Sequence, residues 1–214
     1  MELVVIGAGG HAKVVVDACW AAGWTVLGTA DGDPHRTVFG LPHLGPPEKL
    51  QVEPGVRAVI AVGSNATRRD IARRLDGRLR WASVVHPAAI VSPKAHVKEG
   101  AVIFAGAVVQ AEAVVGWHAI LNTGCRVDHD NDIGAFCHVA PGAVLGGAVK
   151  LGEGVFVGAG AVVTPNRTLG EWCTIGAGGT VVRDTEPGLT YVGVPAKPLG
   201  VRPQPGRFDD AGGA

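Results

Sequence analysis

The sequence predicts two architectures in series: a small parallel α/β sheet over residues 1–82, then a parallel β-helix of hexapeptide repeats over residues 83–199. Three observations carry that reading. Strand and helix patterns alternate through the first part, as they do where a parallel sheet is covered by helices. From Val85 to Val181 an aliphatic residue then recurs at every sixth position without a slip. Glycine makes up 33 of 214 residues while aromatics are only 5%, a composition that favours repetitive β structure over a helical core.

The elements follow in order along the chain. ELVVIG is a short buried strand, and HAKVVVDACWAAG has helical length and stops at Gly23. TVLGTAD gives a second strand, GVRAVIAVGS a third, NATRRDIARRLDG a second helix, and RWASVV a short closing strand. This is about half of a doubly wound fold. Between the first strand and helix lies GAGGHAK, whose backbone N–H groups at a helix N-terminus suit a phosphate. Half a sheet is less than a dinucleotide usually spans, so no redox cofactor is expected there.

The repeat then takes over. Its seventeen aliphatic positions begin Val85, Val91, Val97, Ile103 and end Leu169, Ile175, Val181. Four residues after each stands a side chain that is usually small, among them Ala89, Ala101, Ala143, Cys125, Cys137 and Cys173. Neither a helix nor an ordinary strand has this period; a β-helix with three repeats per triangular coil does. The register makes Cys125, Cys137 and Cys173 packing residues, and Cys19 lies in the first helix. No CxxC spacing points to metal or redox chemistry.

Residues 18 apart should stack at about 4.8 Å, the spacing of neighbouring strands. One outward column reads Val84, Val102, Ile120, His138, Phe156, Thr174, an apolar stripe expected to be a subunit interface. Another line, Pro141, Ala159 and Ala177, is small along the axis. The segment CRVDHDNDIGAFCHVAPGA, residues 125–143, departs most from the pattern, crowding Asp128, His129, Asp130, Asn131 and Asp132 where other coils carry Val, Ala and Gly. A carboxylate beside an imidazole fixes its tautomer and raises its basicity, which suits a general base. One coil on from His129 is Gly147, whose bare backbone could approach a reacting carbonyl. The other readings of this cluster are a solvated corner and calcium-like carboxylate decoration. Zinc is not expected, because His129 and His138 are nine residues apart rather than the five of γ-carbonic anhydrase β-helices. His35, His43, His86, His96 and His118 read as surface or structural, and Trp117 and Trp172 suit stacking or packing.

Bulk properties narrow the field. Lys plus Arg and Asp plus Glu both total 19, so nothing argues for nucleic acid or an anionic membrane. No apolar run approaches the roughly 20 residues needed to span a bilayer. The start MELVVIGAGGH lacks a basic leader region, so the cytoplasm is the expected compartment. Residues 200–214 are expected to be a flexible tail.

Taken in order, GAGGHAKVV, VDHDNDIGAFCHVAPGAVLGG, IGAGGTVV and YVGVPAK resemble the bacterial nucleotide-sugar acetyltransferases of the PglD/NeuD type, from residue 3 to about 199. The resemblance implies a left-handed β-helix, a homotrimer with active sites at subunit interfaces, and acetyl transfer from acetyl-CoA to an amino sugar, expected to be a UDP-4-amino-4,6-dideoxy sugar. It implies His129 as general base with Asp130 as its partner, Gly147 by the thioester carbonyl, and His138 at the acetyl end. Ala159 and Ala177 would line the pantetheine arm and Lys197 would meet a CoA phosphate. Gly9, Gly10 and His11 would meet the diphosphate or sugar, Asp31 the nucleoside, and Gly63 the same substrate; no metal is implied. The family often has two acids where this chain has Ala30 and Asp31. Competing readings are a sialic acid O-acetyltransferase on the same scaffold and a non-enzymatic nucleotide-sensing trimer.

Overall fold

The computed structural model describes residues 1–199; the expected tail over 200–214 lies outside them. β1 (Glu2–Ile6), α1 (Gly10–Ala21), β2 (Thr25–Ala30), β3 (Arg57–Ile60), α2 (Asn65–Arg74) and β4 (Arg80–Trp81) follow in chain order. The strands make a parallel sheet in the order β2-β1-β3-β4. β1 and β3 sit at its centre because their apolar runs tolerate burial on both sides. α1 buries Ala12, Val15, Val16 and Cys19, a helical i, i+3, i+4, i+7 stripe, against Leu3, Val5 and Val59. α2 covers the opposite side, where Ile71, Ala72 and Leu75 meet Val4, Ile6 and Ile60.

From Val84–Val85 to Thr180–Val181, seventeen two-residue strands follow at six-residue intervals. Each pairs in parallel with the strand one coil away, as Ile120 with His138, so the coils stack into three sheets of a parallel β-helix. The first face runs Val84–Val85, Val102–Ile103, Ile120–Leu121, His138–Val139, Phe156–Val157, Thr174–Ile175. The second runs from Ile90–Val91 to Thr180–Val181 and the third from His96–Val97 to Thr168–Leu169. Aliphatic and small residues of the repeat form one continuous interior. Val85, Val91 and Val97 are less covered, since the first coil has a neighbour on one side only. All four cysteines are free and buried, and burial pushes the Cys19, Cys125 and Cys137 thiols up to about 12. The last coil is shorter: Thr174 pairs with Thr190, after which Lys197–Pro198 returns antiparallel to Thr190–Val192.

The outward column is a correction. Val84, Val102 and Ile120 do point out of the coil, but they are not left for another subunit. They share a core with Leu3, Val5, Val15 and Val59, so the chain's own N-terminal sheet covers the first face through α1. A six-residue period says which side chains leave the coil and nothing about what lies over them.

α2 bolts the two parts together. Arg68 is 1% exposed, yet its guanidinium has no carboxylate partner among the described residues. Its Nε donates to the His118 carbonyl at 2.8 Å, Nη1 to the carbonyls of Val62 and Gly63 at 2.9 and 3.1 Å, and Nη2 to Asn65 Oδ1 and the Phe136 carbonyl, both at 2.8 Å. Asn65 in turn donates to the Gly154 carbonyl at 3.0 Å. Burial lowers the Arg68 pKa to about 9, which still leaves it charged at neutral pH. His118 is structural: buried, stacked on Phe136 and edge-on to Trp81.

Candidate active site

Two clusters of functional side chains emerge, on different sides of the coil. The first occupies the corner between the second and third faces. There His129 Nδ1 meets Asp130 Oδ2 at 2.6 Å, a charge-assisted distance. Asp130 lies in the left-handed region with φ of 57°, which Asp tolerates better than most residues. The Asp128 carboxylate accepts from the His129 backbone N–H at 2.8 Å and fixes the turn from the other side. The hydrogen bond from Asp130, then the charge of Asp128, hold the His129 pKa above its ordinary value. With Nδ1 turned to Asp130, Nε2 is the ring nitrogen left to act, and it faces Gly147. A Cβ placed on Gly147 would lie 2.7 Å from His129 Nε2, so only glycine leaves the ring its place. Ala148 N–H donates to the His129 carbonyl at 2.9 Å, stacking the two turns in register.

The second cluster lies in the seam between the N-terminal sheet and the first face. His138, buried, accepts at Nε2 from Asn122 Nδ2 at 3.0 Å. Its ring centroid is 6.0 Å from that of His11, which also meets Phe104 edge-on. Desolvation, helped by the Arg68 charge, lowers His11 to about 4 and His138 to about 3, so both rings are neutral in the physiological range. His11 Nε2 is buried without a hydrogen-bond partner among the described residues, a costly state unless a ligand supplies one. Gly63 brings its carbonyl to 3.4 Å from His138 Nδ1. Gly9 and Gly10 open α1 beside these groups. Gly7 has φ of 107°, and a Cβ there would lie 3.0 Å from Val62 Cγ2 and 3.1 Å from the Ala61 carbonyl oxygen.

Asp31 does something more specific than its place after β2 suggested. Its carboxylate accepts from the N–H groups of Ala8 at 2.8 Å and Asp33 at 2.9 Å, tying the Gly-rich turn to the loop after β2. Pro141, Ala159 and Ala177 form the expected exposed line at the corner between the first and second faces, joined rung to rung by Gly160 N–H to the Pro141 carbonyl and Gly178 N–H to the Ala159 carbonyl. Lys197 is exposed on the returning strand. Among the described residues no group of three or more His, Cys, Asp or Glu is placed to hold a metal ion, and no helix is long and apolar enough to cross a membrane.

Comparison with known proteins bears on both clusters. Residues 2–75 match the PglD N-terminal domain, and residues 148–183 match the bacterial transferase hexapeptide (six repeats). The crystal structure of a histidine-to-alanine variant of GDP-perosamine N-acetyltransferase from Caulobacter crescentus, with CoA and GDP-perosamine, superposes with a TM-score of 0.89 at 40% identity, over 94% of this chain and 98% of that one. The chain belongs to the PglD-type sugar acetyltransferases. A second member of this family, the acetyltransferase domain of PglB from Neisseria gonorrhoeae in complex with acetyl coenzyme A, has a TM-score of 0.88 at 38% identity, over 92% of this chain and 98% of that one. A curated relative, UDP-N-acetylbacillosamine N-acetyltransferase of Bacillus subtilis, is 40% identical over 95 residues, which span 41% of this chain and 44% of that protein.

Several residues of this PglD-type site escaped the sequence reading. Arg68 was hidden in the arginine-rich NATRRDIARR, although Arg68, Ile71, Ala72 and Leu75 share one helical stripe, which marks it as inward-facing. Arg36 stands beside the Gly-rich turn, its Nη1 3.8 Å from where a Gly9 Cβ would be, and no local pattern announces it. Asn122, the partner of His138, lies one coil before Ala140 and is visible only once the coils are stacked.

Proposed function

We propose that the protein transfers the acetyl group of acetyl-CoA to the amino group of a nucleoside-diphosphate-linked 4-amino-4,6-dideoxy sugar, as a homotrimer with its active sites at subunit interfaces. Residues 1–82 bind the nucleotide sugar and residues 83–199 carry the transfer. The observation that supports this best is the His129–Asp130 pair at 2.6 Å with the free Nε2 facing Gly147. His129 Nε2 takes a proton from the substrate amine as its nitrogen attacks the thioester carbon. The N–C bond forms, the C–S bond breaks, and CoA leaves as thiolate. Backbone donors at Gly147 stabilise the developing oxyanion. No cysteine acts as an acyl carrier, in keeping with thiols that burial keeps protonated.

The nucleotide lies at the N-terminus of α1, where Gly9 and Gly10 offer N–H groups to the diphosphate and Arg36 adds charge. The orphan Nε2 of His11 hydrogen-bonds the sugar or diphosphate, Gly63 flanks the same substrate, and Asp31 orders the turn near the nucleoside. The acetyl end of CoA reaches His138, its pantetheine arm follows Ala159 and Ala177, and Lys197 meets a phosphate.

The second face supports this assembly. Its outward column runs Ile90, Val108, Arg126, Val144, Val162, and Ile90 is 68% exposed. This apolar face is bounded by the His129 corner on one edge and the Pro141–Ala159–Ala177 corner on the other. A second copy packed on it would put both corners at the interface.

The test is thiol release from acetyl-CoA with UDP-, GDP- and dTDP-linked 4-amino sugars. Turnover with at least one is expected, and His129→Ala should lose at least ~10²-fold, the typical effect of removing a general base. Turnover with free sialic acid and with none of the panel would instead establish the O-acetyl reading.

A further inference from the structure

We propose that Asn131 is a positioning residue: it clamps the turn that carries His129 to the turn that carries Gly147. The inference rests on His129 being the base. Asn131 falls on the six-residue register at the inward small position, between Cys125 and Cys137 in sequence and between Ala113 and Val149 one coil to either side. Those four side chains are fully buried; Ala113 and Val149 carry no polar group, while Cys137 Sγ donates to the Gly152 carbonyl at 3.0 Å. Asn131 is just as buried, at 1% exposure.

Its amide is used across coils. Nδ2 donates to the Asp128 carbonyl at 2.8 Å and the Gly146 carbonyl at 2.8 Å, with a longer approach to the His129 carbonyl at 3.4 Å. Only an NH2 can sit among three carbonyl oxygens, so the chemistry of the pocket fixes which way the amide points. Asp128 immediately precedes His129 and Gly146 immediately precedes Gly147. One side chain therefore ties together the two peptide units from which the base and its glycine partner project. Oδ1 is buried with no hydrogen-bond partner among the described residues, a cost set against the two 2.8 Å bonds of Nδ2. A polar side chain in a slot that Ala113 and Val149 fill one coil away matches a role in positioning rather than in packing. The tolerance is small, since His129 Nε2 lies 2.7 Å from where a Gly147 Cβ would stand.

Two purposes can be told apart because they move different quantities. In the full-length protein, Asn131→Ala and Asn131→Val remove the clamp, each reproducing the occupant of the slot one coil to either side. Both leave the Asp128 and Gly146 carbonyls without this donor, so the melting temperature should fall. KM for acetyl-CoA and for the amino sugar should change by less than ~2-fold, while kcat falls ~10- to 100-fold, the range expected for a misplaced catalytic group. Asn131→Asp, which keeps the shape without the donor, should fail to restore kcat. Wild-type kcat in the Ala and Val variants, measured well below their melting temperatures, overturns the clamp, and so does a rise of KM as large as the fall of kcat. His129→Ala measured alongside separates the two claims. If it is inactive while Asn131→Val is fully active, only the clamp fails; if it is fully active, the base assignment fails and takes the clamp with it.

Discussion

His129 can act as a base only when its imidazole is neutral, so the groups that hold its proton set the acid limb of the reaction. The bond to Asp130 comes first and the charge of Asp128 second, and both raise the His129 pKa above the ordinary histidine value. The imidazolium is therefore favoured, and the acid limb of kcat/KM should lie above that of a free imidazole, with activity rising as pH increases through it. Asp130→Asn removes the negative charge while keeping a side chain that tolerates the left-handed φ of 57° at this position. Its limb should move to lower pH, and kcat on the plateau should fall because the ring is a weaker base with a less firmly fixed tautomer. A pH–rate profile of both proteins measures this. An unmoved limb would mean that Asp130 does not govern the proton on His129.

At the scale of elements, α2 is the least ordinary part of the fold, because it delivers a cation into an otherwise apolar seam. All of the Arg68 contacts are to backbone carbonyls and one amide, drawn from the loop after β3 and from two coils of the β-helix. Arg68→Met would leave those carbonyls buried without donors, and is expected to cost at least about 3 kcal/mol in denaturant unfolding. Arg73→Met on the exposed side of the same helix should stay within about 0.5 kcal/mol. The contrast between these arginines also explains what the sequence could disclose. A period is local: each residue of the β-helix repeats the role of the one six before it, so the coils, their interior and the His129–Gly147 stacking were readable directly. Partnership between distant segments is not periodic. That α1 covers Val84 and Val102, that Arg68 reaches Phe136, and that Asn65 reaches Gly154 depend on how two units dock, and no spacing within either unit encodes it.

For the molecule as a whole the decisive fact is that one chain separates its two clusters. His129 stands at the corner between the second and third faces, while His138 and His11 lie over the first face, which is the side of the coil opposite that corner. If both clusters serve one acetyl transfer, they must come from different copies, and each copy must contribute to two sites in a closed ring. This arrangement has a consequence that a site built within one chain cannot share. Subunits carrying His129→Ala lack the base but keep the seam, and subunits carrying His11→Ala keep the base but lack a substrate contact. Each parent, assembled as the proposed homotrimer, should be impaired at every site. When the two are unfolded together and reassembled as mixed trimers, random assortment should pair an intact corner with an intact seam at about a quarter of the sites. Activity of the mixture should accordingly rise well above that of either parent, and rise only after subunit exchange. A mixture that stays at the level of its parents, with exchange verified by differently tagged subunits, would place the whole site within a single chain and require the second face to serve another purpose.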